Sequence, residues 1–292
     1  MSAQVVLEAG DTLGESPVWD AAAGELWWVD IKRFLLHRYQ PVTGGVDRWE
    51  LPETPGALAV RDDGSLLLAV RSGFATFDPG TGLFSLLHRP EPDRAGNRFN
   101  DGKCDPRGRF WAASMDDSEQ ERTGALYRYE SDGSCTRVLD GLGIPNTLAW
   151  TPDARTFYFA ETVDRIIYAF DMDPATGAID NRRVLAVVPE PAFPDGSAID
   201  AEGCLWNAQW DGWRLNRYRP DGTLDREIEM PVQRPTSCAF GGPGLDVLFV
   251  TSARKGLTGE ELSAQPMAGS LFSIEVDVPG LEVPRFGDRG DG

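Results

Sequence analysis

Residues 100–115 read NDGKCDPRGRFWAASM, and they contain one copy of a template that recurs along the chain. The template has an anchor residue, four mostly small or apolar residues, a tight turn, and a strand rich in aromatic residues. The other copies are ESPVWDAAAGELWWVDI, GALAVRDDGSLLLAV, NTLAWTPDARTFYFAET, DGSAIDAEGCLWNAQW and TSCAFGGPGLDVLFVTS. Short apolar runs that alternate with polar residues and stop at Gly, Pro, Asn or Asp indicate antiparallel strands. The chain is therefore predicted to be all-β.

The spacing of the copies predicts the architecture. The first residue of each copy is its anchor, and the six anchors are Glu15, Gly56, Asn100, Asn146, Asp195 and Thr236. Successive anchors are 41, 44, 46, 49 and 41 residues apart, which is the length of a four-stranded propeller blade. After each copy, a third strand that bears an aromatic residue leads into a Gly turn and a fourth strand. We predict one six-bladed β-propeller domain over residues 1–292, with the first strands of the blades starting near the six anchors.

Three segments lie outside the repeats. The stretch QVVLEA, residues 4–9, is predicted to add a closing strand to the last blade, because joining the ends removes exposed sheet edges. Residues 256–266, GLTGEELSAQP, are predicted to form a short helix or loop over one face. The C-terminal sequence RFGDRGDG predicts a disordered tail, placed at 287–292.

Composition excludes several classes of partner. The net charge of −18, from 46 acidic and 28 basic residues, argues against binding to nucleic acid or to an anionic membrane. No apolar run approaches the roughly 20 residues of a membrane span, and no secretory signal is visible, so we expect a cytoplasmic protein. The two histidines, His37 and His88, are expected to be structural. Reduced thiols are expected at Cys104, Cys135, Cys204 and Cys238.

The anchors also predict a functional site. If the repeats are equivalent, the anchors meet in one ring at the mouth of the central channel. Side-chain oxygens are carried by four of them, Glu15, Asn100, Asn146 and Asp195. Carboxylates and amides without His or Cys suit a hard cation such as Ca²⁺, Mg²⁺ or Mn²⁺. The alternative is that Asn and Asp begin blades because they form good turns, which explains neither Glu15 nor the shared register.

The sequence leaves the roles of some polar and aromatic residues near the predicted ring undecided. One strand cannot direct all its polar neighbours into the channel, so the roles of Asp101 and Lys103 stay open. Trp210 and Trp213 flank a predicted turn and either stack on a sugar face at the channel rim or pack in the core.

Several ordered motifs resemble those of the senescence-marker-protein/gluconolactonase (regucalcin-like) family, from about Leu13 to Phe286. They are LGESPVWD, WWVDI, RFNDGKCDPRGRFWAASM, GIPNTLAWTPD, FPDGSAIDAEGCLWNAQWDGWRLNRY and TSARKGL. The resemblance implies a six-bladed propeller that binds one divalent metal ion (Ca, Mg, Mn, Zn or Fe) and hydrolyses sugar lactones to aldonic acids. It implies metal ligands at Glu15, Asn146 and Asp195. It also implies substrate contacts at Arg98 and Asn100, and proton transfer by Asp195.

One position departs from that family. Some members present a Glu to the substrate just after the ASM strand, where this chain has Ser118. The resemblance leaves open whether Asp117 or Glu119 takes that place, and therefore which sugar is preferred. We expect a small-molecule sugar lactone as partner and a monomer or weak homo-oligomer. The chain has no G-x-S-x-G motif, which argues against a covalent acyl-enzyme. The alternatives are a calcium-binding regulatory propeller and a protein-interaction scaffold without catalysis.

Overall fold

The computed structural model describes residues 1–287, which form six four-stranded antiparallel sheets. Strand β1 (Gln4–Leu7) precedes the first blade. The strands of blades 1 to 3 are β2 (Gly14–Asp20), β3 (Glu25–Asp30), β4 (Leu35–Gln40), β5 (Gly45–Glu50), β6 (Pro55–Val60), β7 (Leu66–Val70), β8 (Gly73–Asp78), β9 (Leu83–His88), β10 (Asn97–Cys104), β11 (Phe110–Asp116), β12 (Gly124–Tyr129) and β13 (Cys135–Leu142).

The second half of the chain repeats this pattern. Its strands are β14 (Pro145–Trp150), β15 (Thr156–Glu161), β16 (Ile166–Met172), β17 (Ile179–Val187), β18 (Phe193–Ile199), β19 (Leu205–Trp210), β20 (Arg214–Tyr218), β21 (Leu224–Glu229), β22 (Pro235–Gly241), β23 (Val247–Ser252) and β24 (Leu271–Glu275). The first strands of the blades, β2, β6, β10, β14, β18 and β22, contact one another in a closed ring. The predicted six-bladed β-propeller is confirmed.

The last blade is completed by residues from the other end of the chain. Its strand order is β22, β23, β24 and β1, and Gln4 lies opposite Ser273 in the antiparallel pair. The predicted closing strand is therefore confirmed, over residues 4–7. It pairs the outer edge of β24, which would otherwise present unpaired backbone groups to solvent.

Tryptophans pack between the blades, as their place on the repeat strands predicts. Trp28, Trp111 and Trp206 are fully buried. Each indole N–H donates a 2.8 Å hydrogen bond to a buried Asp that precedes it in the chain, so the polar atom of each large ring is satisfied. His37 stacks on Trp28 with ring centroids 4.7 Å apart, which confirms it as a structural residue.

Every inner strand has an irregularity in its pairing at the anchor. The register of the six inner strands shifts between Glu15 and Val18, Pro55 and Ala57, Phe99 and Asp101, Asn146 and Ala149, Pro194 and Ser197, and Pro235 and Ser237. A β-bulge re-aims side chains and is frequent beside active sites. At Gly56 the bulge has no room for a side chain, because a Cβ there would lie 2.3 Å from the Phe99 carbonyl oxygen.

Helical structure is sparse in the described residues. The predicted insert contains α1 (Gly259–Ala264), whose N-cap residue Thr258 forms a capping box with Glu261. A 3₁₀ helix spans Thr162–Asp164 between β15 and β16. Neither helix has the length and hydropathy needed to cross a membrane, and no other helix occurs in residues 1–287.

A C-terminal crossover segment, residues 279–287, spans the end of the channel where the inner strands finish. The Pro279 carbonyl accepts a 2.8 Å hydrogen bond from Ala201 N in blade 5, and Phe286 N donates 2.8 Å to Val60 O in blade 2. Phe286 is buried, so the RFG part of the predicted tail is packed rather than disordered. The polar sequence of the tail predicted disorder, but the buried ring of Phe286 holds this part of the tail against the propeller. Residues 288–292 of the predicted tail lie outside the described residues.

Candidate functional site

A cavity of about 270 Å³ opens at the channel mouth, the end where the inner strands begin. All five site residues predicted from the sequence line it, although they come from four different blades. Their exposed fractions range from 1% to 6%. They are Glu15, Arg98, Asn100, Asn146 and Asp195. The other two anchors, Gly56 and Thr236, do not line this cavity.

Backbone conformation helps to fix these side chains. The residues after Glu15 and Asn146 are Ser16 and Thr147, and both have left-handed backbones, with φ of 51° and 58°. Such conformations are uncommon for residues other than Gly and concentrate at functional sites. Thr147 also donates its hydroxyl hydrogen bond to the Asp195 carbonyl oxygen in the next blade. The position of each anchor is therefore set partly by the neighbouring blade.

Glu15 and Asp195 are two buried carboxylates close enough to affect one another. Burial raises the pKa of Glu15 well above its usual value, and the charges of Asp195 and Asp101 raise it further. Burial and the Asp101 charge likewise raise the pKa of Asp195. The Glu15 carboxylate accepts a 3.1 Å hydrogen bond from Ser16 N. Within residues 1–287 neither carboxylate forms an ion pair, and an uncompensated buried charge is costly.

The amide of Asn146 has a defined orientation. Its Nδ2 donates to Thr162 Oγ1 at 2.9 Å, and the Thr162 hydroxyl in turn donates to Pro194 O at 2.7 Å. The amide oxygen therefore points away from Thr162, toward the Asn100 side of the cavity. Sequence reasoning missed Thr162, which lines the cavity but lies outside the repeated first strands.

Arg98 and Asn100 extend this network. Asn100 Nδ2 donates to Asn146 Oδ1 at 3.1 Å and to Pro145 O at 3.0 Å, while Asn100 Oδ1 accepts from Arg98 Nη1 at 2.8 Å. Arg98 Nε donates to Asp117 Oδ1 at 2.8 Å. A continuous chain of hydrogen bonds thus joins Asp117 to Asn146. It fixes the orientation of the Asn100 and Asn146 side-chain amides in the cavity wall.

The donor set fits a hard divalent cation. The cavity lining includes the carboxylates of Glu15 and Asp195 and the amide of Asn146, whose oxygens are of a type that Ca²⁺ and Mg²⁺ accept. Among residues 1–287, no group of three or more His, Cys, Asp and Glu side chains is placed to hold a metal ion. A cation here therefore depends on an amide oxygen beside the two carboxylates.

Comparisons with known proteins identify the family of this chain. A family model described as the SMP-30/Gluconolactonase/LRE-like region matches residues 13–254. The chain belongs to the SMP-30/gluconolactonase family. A 6-deoxy-6-sulfogluconolactonase of Pseudomonas putida is 35% identical over 96% of this chain and 97% of the relative. A pentonolactonase of Haloferax volcanii is 37% identical over 96% of each chain. The resemblance inferred from the motifs is confirmed.

A solved structure gives the same family relationship. A calcium-binding protein, regucalcin, from Agrobacterium tumefaciens superposes with a TM-score of 0.94 and 32% identity, and the match covers 98% of this chain and 97% of that one. This member of the SMP-30/gluconolactonase family thus shares its fold with that protein along almost its whole length.

The structure separates Asp117 from Glu119, which the sequence left as alternatives. Asp117 contacts three cationic side chains, Lys32, Arg71 and Arg98. Burial alone would raise its pKa, but Lys32 and Arg98 lower the pKa to about 2. Glu119 instead lines the cavity and forms an ion pair with Lys255. Of the two acids, Glu119 is therefore the one in this family member's cavity wall.

Asp101 and Lys103 lie deeper in the channel. The Asp101 carboxylate accepts a 2.8 Å hydrogen bond from Gly102 N, and burial raises its pKa against the opposing charge of Lys103. The Lys103 amine donates to Ser197 O. Lys103 lines a second cavity of about 270 Å³ beneath the C-terminal crossover segment. Neither residue lines the mouth cavity, so both act on it through charge.

Two further cavity residues of this family member were not predicted or were left ambiguous. Lys255 lines the cavity wall. It lies in the TSARKGL motif, which was the sequence feature that could have indicated its place in the site. Trp210 also lines the cavity, whereas Trp213 is 42% exposed and does not. The four cysteine thiols are unpaired, in agreement with the prediction.

Proposed function

We propose that the chain is a divalent-metal-dependent sugar lactonase that opens aldono-1,4- or aldono-1,5-lactones to aldonic acids. The observation that carries the proposal is the convergence of two buried carboxylates without an ion pair and one oriented amide oxygen. They share a cavity sized for a small molecule. The names of the relatives from Pseudomonas putida and Haloferax volcanii support a sugar lactone as the substrate class.

Glu15, Asn146 and Asp195 would hold the cation. When bound, a divalent cation supplies Lewis acidity at the substrate carbonyl and makes a water molecule more acidic. The two carboxylates supply the charge that a hard cation prefers. Hydrogen bonds to Thr162 and from Asn100 fix the orientation of the Asn146 amide, whose oxygen has a second lone pair.

Asp195 is proposed as the proton carrier. Its carboxylate accepts a proton from the attacking water as the new C–O bond forms at the lactone carbonyl carbon. It then returns that proton to the ring oxygen as the C–O bond of the ester breaks. Burial and the Asp101 charge raise the pKa of Asp195, so this carboxylate is a stronger base than an exposed aspartate.

Arg98 and Asn100 are proposed to orient the substrate. Both line the cavity beside the carboxylates, and Asn100 is held by three hydrogen bonds. The guanidinium can donate to a ring hydroxyl or to the developing oxyanion without changing its protonation. Leu13, Ile144 and Phe193 form apolar parts of the same wall, which limit access of bulk water.

The test is acid release from xylono-, arabinono-, galactono- and glucono-lactones, measured with the metal content of the protein known from elemental analysis. We expect chelation to abolish hydrolysis and a divalent cation to restore it. Full activity in metal-free protein contradicts the metal-dependent mechanism. The alternative is a calcium-binding propeller without catalysis. It is supported by the relative from Agrobacterium tumefaciens, which is named a calcium-binding protein. Tight Ca²⁺ binding with no turnover on any lactone would support it.

A further inference from the structure

Lys255 and Glu119 form an ion pair at the rim of the cavity. Glu119 lies in the loop between β11 and β12 of blade 3, and Lys255 follows β23 of blade 6. Blades 3 and 6 are opposite one another in a six-bladed ring, so the pair spans the channel mouth. The side chain of Lys255 is 29% exposed and that of Glu119 is 33% exposed. The five predicted site residues are at most 6% exposed. The pair therefore marks the outer end of the cavity.

Neighbouring residues hold Lys255 in place. Its amine lies 5.9 Å from the ring centroid of Trp210, and the Arg234 guanidinium lies 4.8 Å from the same centroid. Arg234 also donates to the Lys255 carbonyl oxygen and, at 2.6 Å, to Asp211 Oδ1. Trp210 and Lys255 are thus fixed relative to each other through one arginine. The rim is a preformed arrangement rather than a single surface lysine.

We propose that Lys255, together with Glu119, recognises uncharged hydroxyl groups at the outer end of the sugar lactone and so determines substrate specificity. This inference rests on the proposed function. A hydroxyl group both donates and accepts hydrogen bonds, and the pair presents a donor and an acceptor side by side. The nearby cavity wall is apolar, as at Met115 and Val163. At the outer end of the cavity, among the described residues, Lys255 and Glu119 are therefore the polar groups that a substrate can contact.

Charge favours a neutral substituent over an anionic one. Lys255 is already compensated by Glu119, so an anionic group would have to compete with that carboxylate. It would also bind to a chain with a net charge of −18. Both effects oppose binding of an anionic substituent. A neutral hydroxyl group can form hydrogen bonds with Lys255 and Glu119 without adding a charge to the pair.

The kinetic test compares two lactones that differ in hydroxyl groups. Glucono-1,5-lactone carries hydroxyls on its ring and exocyclic carbon, and δ-valerolactone has the same ring without them. We expect Lys255→Met to lower kcat/KM for gluconolactone by about 10- to 100-fold, mainly through KM, the range for one hydrogen bond to a charged group. The value for δ-valerolactone should stay within about twofold. Lys255→Arg should recover part of the loss, and Glu119→Gln should show the same substrate dependence.

Arg137→Met is the matched control. Arg137 is a half-exposed cation on β13 that pairs with Asp140, far from the cavity lining. This variant should leave both lactones unaffected. Equal losses on both lactones in Lys255→Met would overturn the proposal, because they would indicate a general role in the fold or the chemistry. A Lys255-dependent preference for a 6-substituted anionic lactone over gluconolactone would overturn it as well.

A binding measurement separates this inference from the proposed function. 1,5-Anhydroglucitol has the hydroxylated ring of the lactone but no carbonyl group to hydrolyse. Calorimetry should detect its binding to the wild type and about 10-fold or weaker binding to Lys255→Met. Unchanged binding overturns the role of Lys255. A wild type that hydrolyses no lactone but binds the polyol through Lys255 contradicts only the proposed function.

Discussion

Thr162 accepts a hydrogen bond from the Asn146 side-chain nitrogen at 2.9 Å while donating its own hydroxyl proton to Pro194 O at 2.7 Å. The one hydroxyl proton of Thr162 is therefore donated to the Pro194 carbonyl, which can only accept a hydrogen bond. Thr162 can then offer Asn146 only a lone pair, which selects the amide orientation with nitrogen toward Thr162. One threonine in blade 4 thus directs the amide oxygen toward the proposed metal site.

We expect Thr162→Val to weaken divalent metal binding by about 10-fold, because the oriented amide loses a buried hydrogen-bond partner. At saturating metal, kcat should recover to near the wild-type value, since Thr162 does not touch the reacting atoms in the proposed mechanism. Metal affinity is measured by competition with a chromogenic chelator. Thr162→Ser should restore it, because serine supplies the same hydroxyl.

Thr136→Val is the control for that experiment, since Thr136 is an exposed residue of an outer strand. It should change neither metal affinity nor turnover. A Thr162→Val protein that binds metal as the wild type does would show that the Asn146 amide is positioned without the hydroxyl.

Asp195→Asn tests the proposed proton carrier. The substitution keeps an oxygen donor and nearly the same shape but removes the charge and the basicity. We expect kcat at saturating metal to fall by about 10²-fold or more, the scale of a lost general base. Folding should survive, because Asn207 Nδ2 and the Thr147 hydroxyl hold the Asp195 carbonyl oxygen rather than the carboxylate.

A thermal melt in chelator accompanies the kinetics of Asp195→Asn. Near-wild-type kcat in a well-folded variant would return Asp195 to the role of a turn residue, for which asparagine is an equally good replacement.

Arg98→Ala separates substrate binding from metal binding. We expect kcat/KM to fall by about 10²-fold, because a buried charged donor at the substrate is lost. Metal content should remain near that of the wild type, since Asn100 keeps its hydrogen bonds to Pro145 O and Asn146 Oδ1. Elemental analysis of the purified variant is the measurement. Loss of the metal together with activity would mean that Arg98 supports the metal ligands themselves.

Glu15→Gln should stabilise the metal-free protein at alkaline pH. The pKa values of Glu15 and Asp195 are raised in the folded state, so the folded protein binds these protons more tightly than the unfolded chain. The resulting stabilisation is present below the unfolded carboxyl pKa of about 4 and is lost as the pH rises through the raised values. Removing one of the two charges therefore relieves a repulsion that grows with pH.

In chelator, Tm of Glu15→Gln should exceed that of the wild type by about 2–6 °C at pH 8, for a difference of roughly 1–2 kcal/mol. The gap should narrow at pH 5. Glu8→Gln, at an exposed carboxylate outside the cavity, should show no such trend. Equal Tm values for Glu15→Gln and the wild type at both pH values would contradict the electrostatic repulsion between the buried carboxylates.

The fold could be predicted because its information is local and repeated. Each blade contains the same sequence of anchor, turn and aromatic strand, and six copies at a blade's spacing leave little choice of architecture. The convergence of Glu15, Asn146 and Asp195 followed from equivalence alone, since equivalent positions of a ring face the same axis.

The rest of the site depends on contacts that the repeat does not encode. Thr162 and Glu119 lie in connections after the second strands, where each blade has a different length and sequence. Whether Asp117 or Glu119 faced the cavity was decided by three cations from blades 1, 2 and 3 that hold Asp117. Such pairings between distant loops have no periodic signal, so only the folded structure assigns them.

The pairing of β1 with β24 bears on the order of events during synthesis. Residues 4–7 leave the ribosome before any blade exists, yet their partner strand, residues 271–275, emerges only after all strands of the first five blades. The first strand must therefore wait unpaired while five blades assemble. Its short length and partial exposure, with two of its four residues exposed and the other two half-buried, limit its tendency to pair with another nascent chain in the meantime. The ring can become a closed unit only after residues 271–275 have emerged.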